Sequence, residues 1–361
     1  MNSIEILDSE SIIFVLGAGA SVDSNIPHAG KMVSKFEGIL SGEKYLKEKE
    51  LYLLLKSSIL YQRGLREFNP SSVVSIEDIL NVIESLKQKQ ENILYPFIGN
   101  WSNQLIKTSG ENFEIVDKLD EMIRNSLYEW VTLDNYNISS YYCAIGSLSR
   151  EVSFPIRIFS LNYDICVEEA FKKNSYYLES GFDFETCIWS YDRFDLPLES
   201  NVDAYLYKLH GSINWKRNEK GELITSASIP QDPQVIFGTM MKMKSLDPYL
   251  FSIYELRRCS LHSNLKFIVI VGYSFSDDHI NKLIQQALIK NENLKLLIVD
   301  PCIDQLAQER ILKTLNTGLQ LGNPKIDIEK LIPMKQTARI FFENLSLDIF
   351  KQHLNSEDLP F

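Results

Sequence analysis

Ser11-Ile12-Ile13-Phe14-Val15-Leu16-Gly17-Ala18-Gly19-Ala20-Ser21 joins an unbroken apolar run to a run of small residues. Ile12 to Leu16 is too short to stand as a helix and is rich in branched and aromatic side chains, so it reads as a strand buried on both faces. Gly17 and Gly19 let the backbone turn sharply or approach a ligand closely, and a following helix would aim its free N–H groups at the same point. The stretch predicts a strand, a tight turn and an anion site. Two familiar phosphate loops are excluded. Val22 stands where a dinucleotide fingerprint puts its third glycine, and no Gly-Lys-Ser or Gly-Lys-Thr follows. From this stretch alone, a plain strand-to-helix turn without a ligand stays open.

Outward from it, the short apolar pattern recurs at Ile156 to Leu161, Tyr205 to Leu209, Leu265 to Val271 and Leu294 to Val299. Gln234 to Thr239 reads as a further strand and turn. Strands apolar throughout, alternating with helices, predict a parallel sheet. Between the first two strands, Val33, Phe36, Ile39 and Leu40 open a helically spaced region that runs to about Leu133, and Ser75 with Asp78 forms a capping box. Asn174 to Val202 is irregular and aromatic, suited to a flap or a partner surface, and Ile326 to Phe350 is expected to be helical. The fold class is therefore α/β, a Rossmann-like parallel sheet with helices on both faces and a mostly helical insertion. The expected divisions are 1–31 with 150–325 for the α/β domain, 32–149 for the insertion and 326–361 for a helical tail.

Over 361 residues, 45% hydrophobic and 24% charged side chains are globular values that argue against long disorder. A net charge of −11 argues against direct binding along nucleic-acid phosphates. The five cysteines are scattered and form no Cys-x-x-Cys pair, which points away from a disulfide framework or zinc ribbon and towards free thiols in a reducing compartment. Neither a basic leader ahead of an apolar core nor a run of membrane-spanning length is evident, so a cytoplasmic protein that does not enter a membrane is expected.

Ligands of open parallel sheets sit outside the carboxyl ends of the strands. Those ends carry Gly17 to Ser21, Asn162 with Asp164, His210 with Gly211 and Ser212, Gly272 with Ser274, and Asp300. Together they suit phosphates, hydroxyls and a general base. Each also has a plain structural reading: His210 as a buried turn histidine, Asn162 as the cap of a helix starting near Ile165, Asp164 as a favourable charge at that helix's start. Asp277-Asp278-His279 reads as the first turn of a helix capped by Ser276, in preference to a metal cluster.

Gly-Ala-Gly-Ala-Ser with Ile26-Pro27, Leu161-Asn162-Tyr163-Asp164, Leu209-His210-Gly211-Ser212, Gly272-Tyr273-Ser274-Phe275 and Val299-Asp300 resemble, in order, the NAD-binding motifs of the sirtuin superfamily. The chain looks most like the bacterial sirtuin-like NAD hydrolases of anti-phage defence. That resemblance implies that Ala18, Gly19 and Ser21 hold the pyrophosphate, in a cofactor-binding turn that also includes Gly17 and Ala20, with Ile26 and Pro27 near the nicotinamide ribose. It implies Asn162 on ribose hydroxyls or the attacking water, Asp164 on the nicotinamide amide, His210 as general base, and Gly272, Ser274 and Asp300 around the adenosine ribose. His28-Ala29-Gly30-Lys31 replaces the Asp-Phe-Arg of sirtuin deacylases, and the two Cys-x-x-Cys pairs of their zinc module are missing. The implied activity is hydrolysis of NAD+ to nicotinamide and ADP-ribose, without a metal. A protein deacylase and a non-catalytic nucleotide-binding scaffold are the alternatives. A homo-oligomer, and a HerA-type ATPase or short Argonaute partner, follow from the same resemblance.

Overall fold

The structure, a computed structural model, describes residues 7–66, 74–91, 103–110, 112–195, 201–226, 230, 247–319, 322 and 324–354. The chain divides into two compact units, one of Met1–Ile26, Leu133–Val235 and Leu246–Phe361, the other of Pro27–Thr132 and Ile236–Ser245. The division thus falls at 26/27 and 132/133, not at 31/32 and 149/150. Hydrogen bonding explains why the later segment stays with the first unit: Tyr142 bonds Ser21 at 3.0 Å and Tyr141 bonds Ser24 at 2.9 Å.

Among the described residues of the first unit, nine strands are numbered in chain order: β1 (Ile12–Leu16), β2 (Ile156–Ser160), β3 (Leu178–Glu179), β4 (Ala204–Lys208), β5 (Trp215–Arg217), β6 (Leu223–Thr225), β7 (Phe267–Val271), β8 (Lys295–Val299) and β9 (Leu331–Met334). Seven form one sheet in the order β3-β4-β2-β1-β7-β8-β9, and every pairing in it is parallel. β1 lies at its centre, Ile13 opposite Arg157 of β2 on one side and Ile268 of β7 on the other.

Alternation along β1 shows why both faces are covered. Ile13 and Val15 join a core with Leu256, Ile280 and Ile284 from the helices Tyr249–Ser260 and Asp278–Lys290. Phe14 faces the other way, its ring 6.4 Å from that of Phe342 in the helix Ala338–Glu343. Strands buried on both faces need the continuous apolar runs seen in the sequence. The expected Rossmann-like α/β sheet, with helices on both sides, is the observed fold.

Three stretches differ from expectation. Ile326 to Phe350 is not all helix: β9 adds an edge strand to β8 before two short helices, with Pro333 on the strand at the sheet edge, where a missing N–H is tolerated. Asn174 to Val202 is no free flap over its described part. Phe194 stacks on Tyr207 at 4.7 Å and Trp189 meets Phe251 at 5.7 Å, so most of its aromatic rings are packing groups, while Phe184 is left exposed. β5 and β6 form an antiparallel hairpin too short to register as an apolar run. Gln234 to Thr239 lies outside the described residues.

The second unit is helical: Ala29–Leu40, Leu46–Arg66, Ile76–Glu91, Asn103–Ser109 and Glu114–Val131. The capping box forms as read, the Ser75 amide donating to the Asp78 carboxylate at 2.7 Å and the Asp78 amide to the Ser75 hydroxyl at 3.1 Å.

Candidate active site at the carboxyl edge of the sheet

All strands of the large sheet point the same way, so the loops after β1, β2, β4, β7 and β8 share one edge. From β1 the chain continues to β2 on one side and later to β7 on the other, which makes β1 and β7 the pair at which strand order reverses. Such a pair is where crevices open in doubly wound sheets.

Backbone meets backbone there. Gly272 has φ +61°, and a Cβ on it would lie 2.2 Å from the Ala20 nitrogen; a Cβ on Gly19 would lie 2.7 Å from the Gly272 Cα. Gly17 is equally confined, 2.6 Å from the Gly272 carbonyl oxygen. The glycines are therefore required by the packing of two strand ends against each other. The element after β1 is a 3-10 helix, Ala18–Ser24, where a longer helix was expected. Its neighbourhood uses several of the amides assigned to an anion: Gly17 donates to Val271 at 2.9 Å, Gly19 to Gly272 at 2.8 Å and Ala20 to Gly17 at 2.9 Å.

Ser21 is the hub of a buried network. Its hydroxyl donates to Asp164 Oδ2 at 2.9 Å and accepts from Asn162 Nδ2 at 3.2 Å, with the Tyr142 hydroxyl at 3.0 Å. One donor and two acceptor positions are all a serine has, so these three contacts use it fully. Burial pushes the Tyr142 hydroxyl well above its ordinary pKa, which keeps its proton available to Ser21. Asn162 donates its second amide hydrogen to the Gly17 carbonyl at 3.0 Å. Both hydrogens being used, the side chain's orientation is fixed, and Oδ1 is left without a partner among the described residues. Asn162 caps no helix. Asp164 precedes the N-cap Ile165 of the helix Cys166–Lys173, and its Oδ1 accepts from the Cys166 amide at 3.1 Å, so both of its carboxylate oxygens are engaged within the protein.

The loop after β4 clamps the loop after β2. Ile213 N donates to the Tyr163 carbonyl at 3.0 Å, and Lys208, the last residue of β4 and buried, donates from Nζ to the Asp164 carbonyl. Lys208 also lies 3.4 Å from Glu168, whose carboxyl is pushed up by burial against the pull of that lysine. Lys208 is not among the residues singled out from the sequence; a lone lysine in an otherwise apolar strand, Tyr205-Leu206-Tyr207-Lys208, is the signal that could have found it.

His210, 7% exposed, sets Nε2 3.3 Å from Asp277 Oδ2. Asp277, not Ser276, caps the helix Asp278–Lys290, its Oδ1 accepting from His279 at 3.0 Å and Ile280 at 3.4 Å. One carboxylate therefore caps a helix with one oxygen and meets the histidine with the other. An ionised Asp277 can only accept, so Nε2 carries the hydrogen and the lone pair falls on Nδ1, which has no partner among the described residues. Sequence reading saw Asp277 only as part of a helix start, because nothing in the spacing shows that β4 and β7 deliver 210 and 277 to one place.

The remaining assigned residues take more peripheral positions. Ile26 is buried, its amide bonded to the Ser21 carbonyl at 3.3 Å, whereas Pro27 is the first residue of the other unit. Ser274 meets Ser276 at 3.0 Å on the surface. Asp300, after β8, accepts from the Cys302 amide at 2.7 Å.

Residues 156–319 match the family model of a SIR2-like domain. That segment includes Asn162, Asp164, Lys208, His210, Gly272, Ser274, Asp277 and Asp300, while the Gly17–Ser21 turn precedes it. A solved structure from work on the structural basis of the mechanism and regulation of Sir2 enzymes aligns with 97% of this chain and 96% of its own, at 13% identity and a TM-score of 0.38. No curated protein matches the sequence.

Proposed function

We propose that this edge binds NAD+ and hydrolyses the bond between nicotinamide and ribose, releasing nicotinamide and ADP-ribose. The observation that carries the reading is the pair of unpartnered acceptors, Asn162 Oδ1 and His210 Nδ1, on the loops after two adjacent strands of a segment that matches a SIR2-like domain. Nicotinamide leaves a pyridinium as a neutral molecule, so the reaction needs no acid; it needs stabilisation of a ribosyl cation and delivery of water. Asn162 Oδ1 accepts a hydrogen bond from that water or from a ribose hydroxyl and so orients it. His210 Nδ1 takes the proton released as the water oxygen bonds to ribose, and Asp277 steadies the resulting imidazolium. Gly17 to Ser21, Ile26, Gly272, Ser274 and Asp300 are assigned to the rest of the dinucleotide, and Asp164 to holding Ser21 and the nicotinamide end.

The wider reading is a cytoplasmic effector that depletes NAD+ during phage infection, working as a homo-oligomer under the control of a HerA-type ATPase or short Argonaute partner. The resemblance of the five motifs supports it. The deciding assay is nicotinamide release from NAD+ by the purified chain, with and without an acylated peptide. Peptide-independent release that Asn162→Ala and His210→Ala both abolish is the expected result. Release only with peptide would establish a deacylase, and NAD+ binding without turnover, alone or with candidate partners, a scaffold.

A further inference from the structure

A polar cavity of about 380 Å³ opens at the opposite end of the sheet from the carboxyl edge, where β2 and β4 begin. Arg157 of β2 and Tyr205 and Tyr207 of β4 line it, with Phe194, Phe251 and Glu255. Tyr207 is 3% exposed, yet neither its hydroxyl nor that of Tyr205 has a hydrogen-bond partner among the described residues. Arg157 is committed at both terminal nitrogens, to the Ser9 carbonyl at 2.5 Å and to Glu10 at 2.9 Å, and its Nε is buried without a partner. Three donors without a partner among the described residues thus belong to residues that line one cavity, and that of Arg157 is buried, which is uncommon in folded proteins.

The donors say what the occupant must offer, and the charges say what it must lack. Arg157 is already neutralised by Glu10, and Arg258 is held by both oxygens of Glu255 at 2.8 to 3.1 Å. An added anion would face Glu255 and Asp195, and both lining arginines are already paired. Uncharged acceptors, carbonyl oxygens or ring nitrogens, suit the three donors. Phe194, stacked on Tyr207 at 4.7 Å and 5.1 Å from Phe251, supplies an aromatic wall for a flat ring. The volume lies in the range of small-molecule sites. We propose that this cavity is a binding site for an uncharged nucleoside, whose base accepts hydrogen bonds from Tyr205, Tyr207 and Arg157 against the Phe194 wall. The site is separate from the carboxyl edge and stands whether or not that edge cleaves NAD+. It touches the same two strands that carry Asn162 and His210 at their far ends.

Titration calorimetry of the full chain with adenosine, guanosine, cytidine and uridine in turn, to millimolar concentration, tests this. At least one should bind, Tyr207→Phe should weaken it about tenfold through the loss of one hydrogen bond, and Phe251→Trp, which fills the cavity, should abolish it. His210→Ala should leave it unchanged. The melting temperature of each variant checks that folding is intact, and Tyr207→Phe removes a single oxygen atom that has no hydrogen-bond partner among the described residues. Absence of saturable binding by all four would overturn the proposal and leave a water-filled cavity. Binding that ignores Tyr207→Phe and falls with His210→Ala would overturn it too, by placing the nucleoside at the carboxyl edge.

Discussion

The two halves of the carboxyl edge are held by different means. On the β1 and β2 side, Ser21, Asn162, Asp164 and Tyr142 close a buried network in which the serine and both amide hydrogens of the asparagine are used. On the β4 and β7 side, the His210 imidazole has one hydrogen-bond contact among the described residues, 3.3 Å to Asp277, with the Tyr163 ring 6.1 Å away. A saturated network fixes a side chain rigidly, because any other position strands a buried polar group. A single long hydrogen bond constrains the imidazole less and keeps a carboxylate beside it as it gains a proton. The difference suits a fixed group that orients a nucleophile beside a base that changes charge.

The heaviest blow to that contrast is His210→Ala. Nicotinamide release should fall about 10²–10⁴-fold, the range for loss of a general base, with the unfolding free energy nearly unchanged; an equal loss of stability would make His210 a structural group. Gly272→Ala attacks the packing beneath both halves. With a Cβ 2.2 Å from the Ala20 nitrogen, it should cost about 3 kcal/mol or more in denaturant unfolding, and a neutral result would contradict the close backbone approach. Asp277→Asn separates the two duties of one residue. Asparagine caps helices about as well as aspartate, so stability should change by less than about 0.5 kcal/mol. Activity should drop about tenfold to a hundredfold as the imidazolium loses its counter-charge, and an unaltered rate would remove Asp277 from the mechanism. Smallest is Tyr142→Phe, about 1 kcal/mol of stability for one hydrogen bond to Ser21, with turnover almost untouched. A large loss of turnover there would mean that the network does more than hold Asn162.

Much of this was legible in the sequence for a physical reason. Buried parallel strands must be apolar along their whole length, so β1, β2, β4, β7 and β8 announce themselves, and the polar residue that ends each run marks the edge. The capping box at Ser75 is local chemistry and was equally plain. Pairings between distant strands were not. Asp277 became a partner of His210, and Tyr142 a partner of Ser21, only through tertiary packing that brings positions far apart in the chain together. Short elements failed for the opposite reason: β3 has two residues and β5 and β6 three each, too few to show a period. The glycines at 17, 19 and 272 read in the sequence as a tight turn or a close approach to a ligand, and the structure adds that their missing side chains make room for one another.

The central place of β1 sets the order in which the molecule can assemble. This strand leaves the ribosome well before its partners, β2 and β7 following only about 140 and 250 residues later. At translation speeds of about 5–20 residues per second, its second edge waits on the order of 10–50 s for a neighbour. During that interval an apolar strand with an open edge is a template for the wrong partner, most easily another nascent copy. The keystone of the finished sheet is therefore the most exposed liability of the growing chain, and substitutions that slow the arrival of β7 should lower soluble yield before they alter the folded protein.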